Sequence, residues 1–178
     1  MPSPALTPAE IERAIRNVPD FPKPGVQFKD ITPVLADARL FAGSIELLTA
    51  DFKPGDVDTV VGIDARGFIF AAGAALRLNS GFAPVRKKGK LPYRTHEQDY
   101  ALEYGVNTIA IHVDAIKPGA RVLLIDDLLA TGGTAAASAE LVKKLGGQIL
   151  EIAFLIELSF LKGRERLAGY QVNSLVVY

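Results

Sequence analysis

A chain of 178 residues, 49% of them hydrophobic, is long enough to bury a sizeable core and fits one globular domain, which argues against disorder. Lys+Arg and Asp+Glu number 20 each, so the formal net charge is zero and no global basic field invites nucleic acid or an anionic membrane. The absence of cysteine excludes disulfides, thiolate catalysis and cysteine-ligated metals.

The first ten residues carry neither a basic region nor a long apolar segment, so a cytoplasmic protein without a signal peptide is expected. Thr7 as cap, Pro8 at the first helical position and Glu10 completing a capping box predict a helix to about residue 17. Residues 20–30, DFPKPGVQFKD, cannot continue it, because Pro22 and Pro24 restrict the backbone and Gly25 invites a turn. A loop or small lid is expected there. Helical spacing returns over 40–52, Pro54 and Gly55 turn the chain, and 59–63 reads as a strand. Asp64, Ala65, Arg66 and Gly67 separate that strand from an apolar helix over 68–78, too short to cross a bilayer. A strand at 82–85 leads into 86–105, a charged insertion without apolar periodicity that reads as a mobile loop. Strands at 108–113 and 122–125 follow, with Pro118 and Gly119 turning between them. A helix over 135–145, ended by Gly146 and Gly147, precedes strands over 149–158 and 172–177. This alternation predicts an α/β fold, a mostly parallel sheet flanked by helices, with ligands gathered at the carboxyl ends of the strands.

Residues 122–134, VLLIDDLLATGGT, carry the clearest chemistry. A strand buried on both faces would end in Asp126 and Asp127. Ala130, Thr131, Gly132, Gly133 and Thr134 then lack bulk, so backbone N–H groups can converge on an anion beside the positive end of the next helix. A polyphosphate alone would favour lysine over aspartate. The acids instead point to sugar hydroxyls or Mg²⁺, and a phosphorylated sugar satisfies both halves. Neither a Walker pattern nor a GxGxxG fingerprint occurs, which argues against a kinase or dehydrogenase. Asp64 to Gly67 form a second candidate anion site, where the Arg66 guanidinium matches phosphate oxygens; as a lone signal Arg66 equally caps a helix or pairs with an acid. Arg86, Lys87, Lys88 and Lys90 belong either to a loop that closes over a polyanion or to a solvated face. Phe28 either anchors its loop to the core or stacks on a flat heterocycle. His96 and His112 lack the helical spacing of metalloprotease ligands.

The apolar strand, paired acids, short linker and Thr-Gly-Gly-Thr turn of 122–134 resemble the 5-phosphoribosyl-1-pyrophosphate (PRPP) loop of type I phosphoribosyltransferases. With DFPKPGVQFKDITPVL, ARGF, VRKKGKLP, LEYG and LSFLKGRERL in order along nearly the whole chain, the resemblance narrows to the adenine-specific branch of that family. It implies the type I phosphoribosyltransferase fold in a single domain over 1–178, with an N-terminal arm and base-binding hood at about 1–35 and a flexible catalytic loop at 87–104. The resemblance also assigns Asp126, Asp127, Ala130, Thr131, Gly132, Gly133 and Thr134 to PRPP, and Asp64, Ala65, Arg66, Arg86 and Lys87 to pyrophosphate. A non-proline cis peptide is implied near Asp64 and Ala65. Phe28 would stack on adenine with Leu158 against its other face, while main-chain groups from about Val26 to Lys29 read the base edge. Glu103 and Arg66 are the implied catalytic residues, Glu103 handling a proton. No residue is assigned as a direct metal ligand, because Mg²⁺ would be bound mainly through PRPP or pyrophosphate. Gln27 and Lys29 depart from the frequent aliphatic residue and arginine, and main-chain recognition tolerates such changes. The implied reaction joins adenine and PRPP into AMP and pyrophosphate in purine salvage, carried out by a homodimer that engages neither nucleic acid nor membrane. Two alternatives remain: a family member using hypoxanthine, xanthine or guanine, and a PRPP-sensing regulator without catalysis. The adenine-type hood and LEYG oppose the first; the retained loop, Glu103 and the lack of a DNA-binding segment oppose the second.

Overall fold

The structure, a computed structural model describing residues 6–101 and 106–178, opens on a helix at the position the Thr7 to Glu10 spacing predicts. The Thr7 backbone N–H donates to Glu10 Oε2 at 2.9 Å, and that bond, reinforced by Arg39, holds the Glu10 carboxyl down at about 2. Helix α1 (Pro8–Ala14) is shorter than expected: Ile15 turns extended and strand β1 (Arg16–Pro19) follows. The expected loop over 20–30 in turn contains β2 (Gln27–Asp30), which pairs antiparallel with β1 from Arg16 opposite Asp30 to Pro19 opposite Gln27. Cross-strand bonding outweighs the local helical pattern here, with Lys29 Nζ donating to Asn17 Oδ1 at 2.7 Å. Helices α2 (Thr32–Ala36) and α3 (Ala38–Leu48) follow. The chain divides into two compact units between Leu47 and Leu48.

The second unit holds the main sheet. Its strands are β3 (Thr59–Ile63), β4 (Gly81–Lys87), β5 (Thr95–Ala101), β6 (Val106–His112), β7 (Arg121–Leu129), β8 (Gln148–Glu157) and β9 (Val172–Val177), in the order β5-β6-β4-β3-β7-β8-β9. The β4-β3-β7-β8-β9 run is parallel throughout, while β6 is antiparallel to both β4 and β5. Parallel strands need helical crossovers, and α4 (Gly67–Leu78) and α5 (Gly133–Lys144) supply them. Val122, Leu123, Leu124 and Ile125 are fully buried, as a central strand covered on both faces requires. Val61, Ile63, Val122 and Leu124 share one core cluster with Leu141 and Val142 of α5, and the intervening Gly62 turns toward Ala71 of α4.

The charged insertion differs from the expected loop. Strand β5 pairs with β6 along its whole length, from Thr95 opposite His112 to Ala101 opposite Val106. As an edge strand made of polar residues it buries no apolar stripe, so periodicity gives it no signal.

At Gly62 the sheet fits closely against α4, because a Cβ there would stand 2.8 Å from both Ala71 Cβ and Phe82 Cε2. Gly62→Val is expected to cost about 1–3 kcal/mol by overpacking and to lower the thermal midpoint. An unchanged midpoint would show that strand and helix are not in firm contact.

Candidate active site

Two loops follow β3 and β7, which pair in parallel with Gly62 opposite Ile125; β7 does not end at the acids as expected but runs through Asp126 and Asp127 to Leu129, because its pairing with β8 continues that far. The first is Asp64 to Gly67, whose Asp64–Ala65 peptide is cis, as the resemblance implies. Gly67 lets the loops approach: a Cβ on it would lie 2.6 Å from Asp126 Oδ1 and 3.0 Å from Asp126 Cα. The second loop runs from Ala130, just past β7, to the amino end of α5, where Gly132 sits at φ +79. That conformation favours glycine and turns the chain into the helix.

The loops and β4 enclose a cavity of about 240 Å³ that brings together Asp64, Ala65, Arg66, Arg86, Lys87, Asp126, Asp127 and Thr134. A smaller hollow of about 70 Å³, lined by Asp126 and by Leu128 through Ala135, forms the cradle around Ala130, Thr131, Gly132 and Gly133. Arginines and acids are paired across the cavity. Arg66 Nε lies 2.7 Å from Asp127 Oδ2, and Arg86 Nε lies 3.0 Å from Asp64 Oδ2. Arg86 also donates to the Lys90 carbonyl at 3.1 Å, and Lys88 Nζ reaches Glu97 at 2.7 Å.

Asp126 accepts the Asp127 backbone N–H at 2.8 Å. Burial raises its carboxyl well above the usual range, and the adjacent Asp127 charge adds to this. Burial raises Asp127 too, while the Arg66 guanidinium pulls it back. These acids can accept from hydroxyls or from hydrated cation, but they keep their charge only at a cost to the fold.

Tyr100 of β5 also lines the larger cavity. Sequence reasoning passed over it because the segment read as a loop; alternation along a polar edge strand was the only available signal. The residues expected around a base are divided. Val26, Phe28 and Lys29 belong to the first unit, where Phe28 meets Phe21 edge-on at a centroid distance of 5.0 Å. Leu158 belongs to the second, immediately after β8, and its N–H donates to the Leu129 carbonyl at 2.9 Å. Glu103 lies outside the described residues. His96 and His112 fall on opposite faces of the β5–β6 ladder, and among the described residues no cluster of three or more histidines and acids could hold a metal.

A parallel sheet edge that gathers a bulk-free turn, paired acids and an arginine loop around two adjoining hollows has the parts of a site for a phosphorylated sugar. Residues 27–172 match the family model described as a phosphoribosyl transferase domain. An adenine phosphoribosyltransferase of Acidothermus cellulolyticus is 57% identical over 162 residues, 91% of this chain and 92% of that protein. The crystal structure of adenine phosphoribosyltransferase from Rhodothermus marinus, 52% identical, superposes with a TM-score of 0.91 over 96% of this chain and 98% of that one. The Saccharomyces cerevisiae enzyme, 40% identical with a TM-score of 0.89 over 94% and 97% of the two chains, was crystallised with an imino-altritol bisphosphate and adenine. The chain belongs to the adenine phosphoribosyltransferase family.

An acid whose pKa is raised by folding binds more protons folded than unfolded, so its ionisation destabilises the fold as pH rises between the two values. Asp126→Asn keeps an acceptor for the Asp127 N–H and removes that charge. It is expected to unfold at a higher temperature than the parent at neutral pH, with the difference closing below about pH 4. A variant less stable than the parent at neutral pH would contradict the assignment of a costly carboxylate.

Proposed function

We propose that this protein transfers the 5-phosphoribosyl group of PRPP to adenine, forming AMP and pyrophosphate in purine salvage. The observation that carries the reading is a pair of hollows that share Asp126 and Thr134, one edged by both acids and the Arg66 loop, the other by the bulk-free turn from Ala130 to Gly133. Family membership and the adenine bound by the yeast relative supply the base.

Backbone N–H groups of Ala130, Thr131, Gly132, Gly133 and Thr134 hold the 5-phosphate, and Asp126 with Asp127 accept from the ribose hydroxyls. Arg66 exchanges Asp127 for the pyrophosphate, which Ala65, Arg86 and Lys87 also contact while Asp64 keeps Arg86 oriented. As pyrophosphate departs, the anomeric carbon gains oxocarbenium character and a ring nitrogen of adenine attacks it. Arg66 neutralises charge developing on the leaving group. Phe28 and Leu158 are each assigned to the base, main-chain groups from Val26 to Lys29 to its edge, and Glu103 moves a proton on the purine. Mg²⁺ would be bound mainly through PRPP or pyrophosphate, with Asp126 and Asp127 placed to accept from its hydration shell, and would supply charge neutralisation for the leaving pyrophosphate. The enzyme works as one domain over 1–178, with 1–35 as arm and hood and 87–104 as the catalytic loop, in a cytoplasmic homodimer. No described helix is long and apolar enough to cross a membrane.

Purified protein is expected to form AMP from adenine and PRPP with Mg²⁺ and to do so far more slowly with hypoxanthine or guanine. PRPP binding without product from any base would favour a sensor instead. Glu103→Ala is expected to lower turnover by about 10²- to 10⁴-fold while PRPP still binds. Equal turnover by that variant would remove Glu103 from the mechanism.

A further inference from the structure

The segment LSFLKGRERL holds one residue expected at the base, Leu158, and leaves the other nine without a role. It leaves β8, passes through two 3-10 turns, Ser159–Leu161 and Gly163–Leu167, and comes back to β9. Gly163 is buried against the outer side of the phosphate cradle. A Cβ on it would strike the Ala130 carbonyl oxygen and stand 2.9 Å from Leu129 Cδ1 and 3.1 Å from the Gly132 nitrogen. The fit is reciprocal, since a Cβ on Gly132 would strike the Gly163 carbonyl oxygen. Backbone therefore rests on backbone, with no flexible side chain between to absorb a displacement.

Arg164 fixes the turn that carries Gly163. Its Nε donates to Glu157 Oε1 at 2.9 Å and its Nη2 to Glu157 Oε2 at 2.8 Å, while Nη1 donates to the Val172 carbonyl at 2.9 Å. The Glu157 side chain is only 6% exposed, so removing the guanidinium would strand a buried carboxylate. Lys162, between the two turns, is held at φ 53. A side chain adopts this left-handed conformation only at a steric cost, which the surrounding bonds must outweigh.

Resting on the phosphoribosyl-transfer reading of the cavity, we infer that Gly163, clamped by the Arg164–Glu157 pair, is a positioning residue for the ribose-phosphate cradle. It touches no substrate and sets where the Ala130 to Gly132 backbone stands. Displacing that backbone weakens the hold on the 5-phosphate equally before and during reaction, so KM for PRPP responds and kcat does not.

Gly163→Ala is expected to raise KM for PRPP by about 10-fold or more while kcat stays within about 3-fold and KM for adenine changes little. Arg164→Met should move in the same direction, and Arg164→Lys should fall between it and the parent, because an ammonium neutralises Glu157 without the planar fork. Titration calorimetry with ribose 5-phosphate reads the cradle without turnover and should show a matching loss of affinity. A folded Gly163→Ala protein that keeps parental affinity for ribose 5-phosphate, or loses kcat alone, overturns the inference. If that variant does not fold, parental affinity in Arg164→Lys overturns it. A parent that makes no AMP, beside a Gly163→Ala variant that loses ribose 5-phosphate affinity, would instead sink the reaction and uphold the positioning role.

Discussion

Parallel pairing of β3 with β7 is the constraint on which the site depends. Gly62 stands opposite Ile125, so the loop that starts at Asp64 comes to the same edge as Asp126 and Asp127, while β7 itself runs on to Leu129. Hydrogen bonds along a buried ladder thereby fix the distance between the Asp64 to Gly67 loop and the Asp126 to Thr134 segment. A transferase of this chemistry must hold both ends of one substrate while the bond between them breaks, and rigid spacing supplies that without later reorganisation. Gly67 and Gly62 keep the arrangement tight, the first letting the loops meet and the second letting α4 close on the sheet.

Charge in the cavity is balanced before any substrate arrives. Arg66 pairs with Asp127 and Arg86 with Asp64, and a polyanion can take over each guanidinium in turn. Two adjacent carboxylates, Asp127 buried and Asp126 half-buried, remain a liability to the fold, since burial raises both and one also feels its neighbour.

Legibility followed burial. Strand β3 occupies the residues its apolar run indicates, and 122–134 was readable because a doubly buried strand, two acids and a bulk-free turn each have a physical signature. The strands β1 and β5 had none. Their side chains are largely exposed, they are made by pairing with β2 and β6, and no local pattern encodes a partner elsewhere in the chain. Tyr100 was missed for the same reason. Gly163 was missed because a close backbone approach is a property of two segments far apart in sequence. The base-contacting residues came from family resemblance, as a lone phenylalanine says little about what it stacks on.

A crystal structure of the protein with AMP and pyrophosphate bound would test the central assignment most directly. The AMP phosphate is expected within hydrogen-bonding distance of the backbone N–H groups of Ala130 to Thr134, with Asp126 and Asp127 on the ribose and Arg66 turned from Asp127 to the pyrophosphate. A phosphate seated elsewhere, or an unbroken Arg66–Asp127 pair beside bound pyrophosphate, would contradict it.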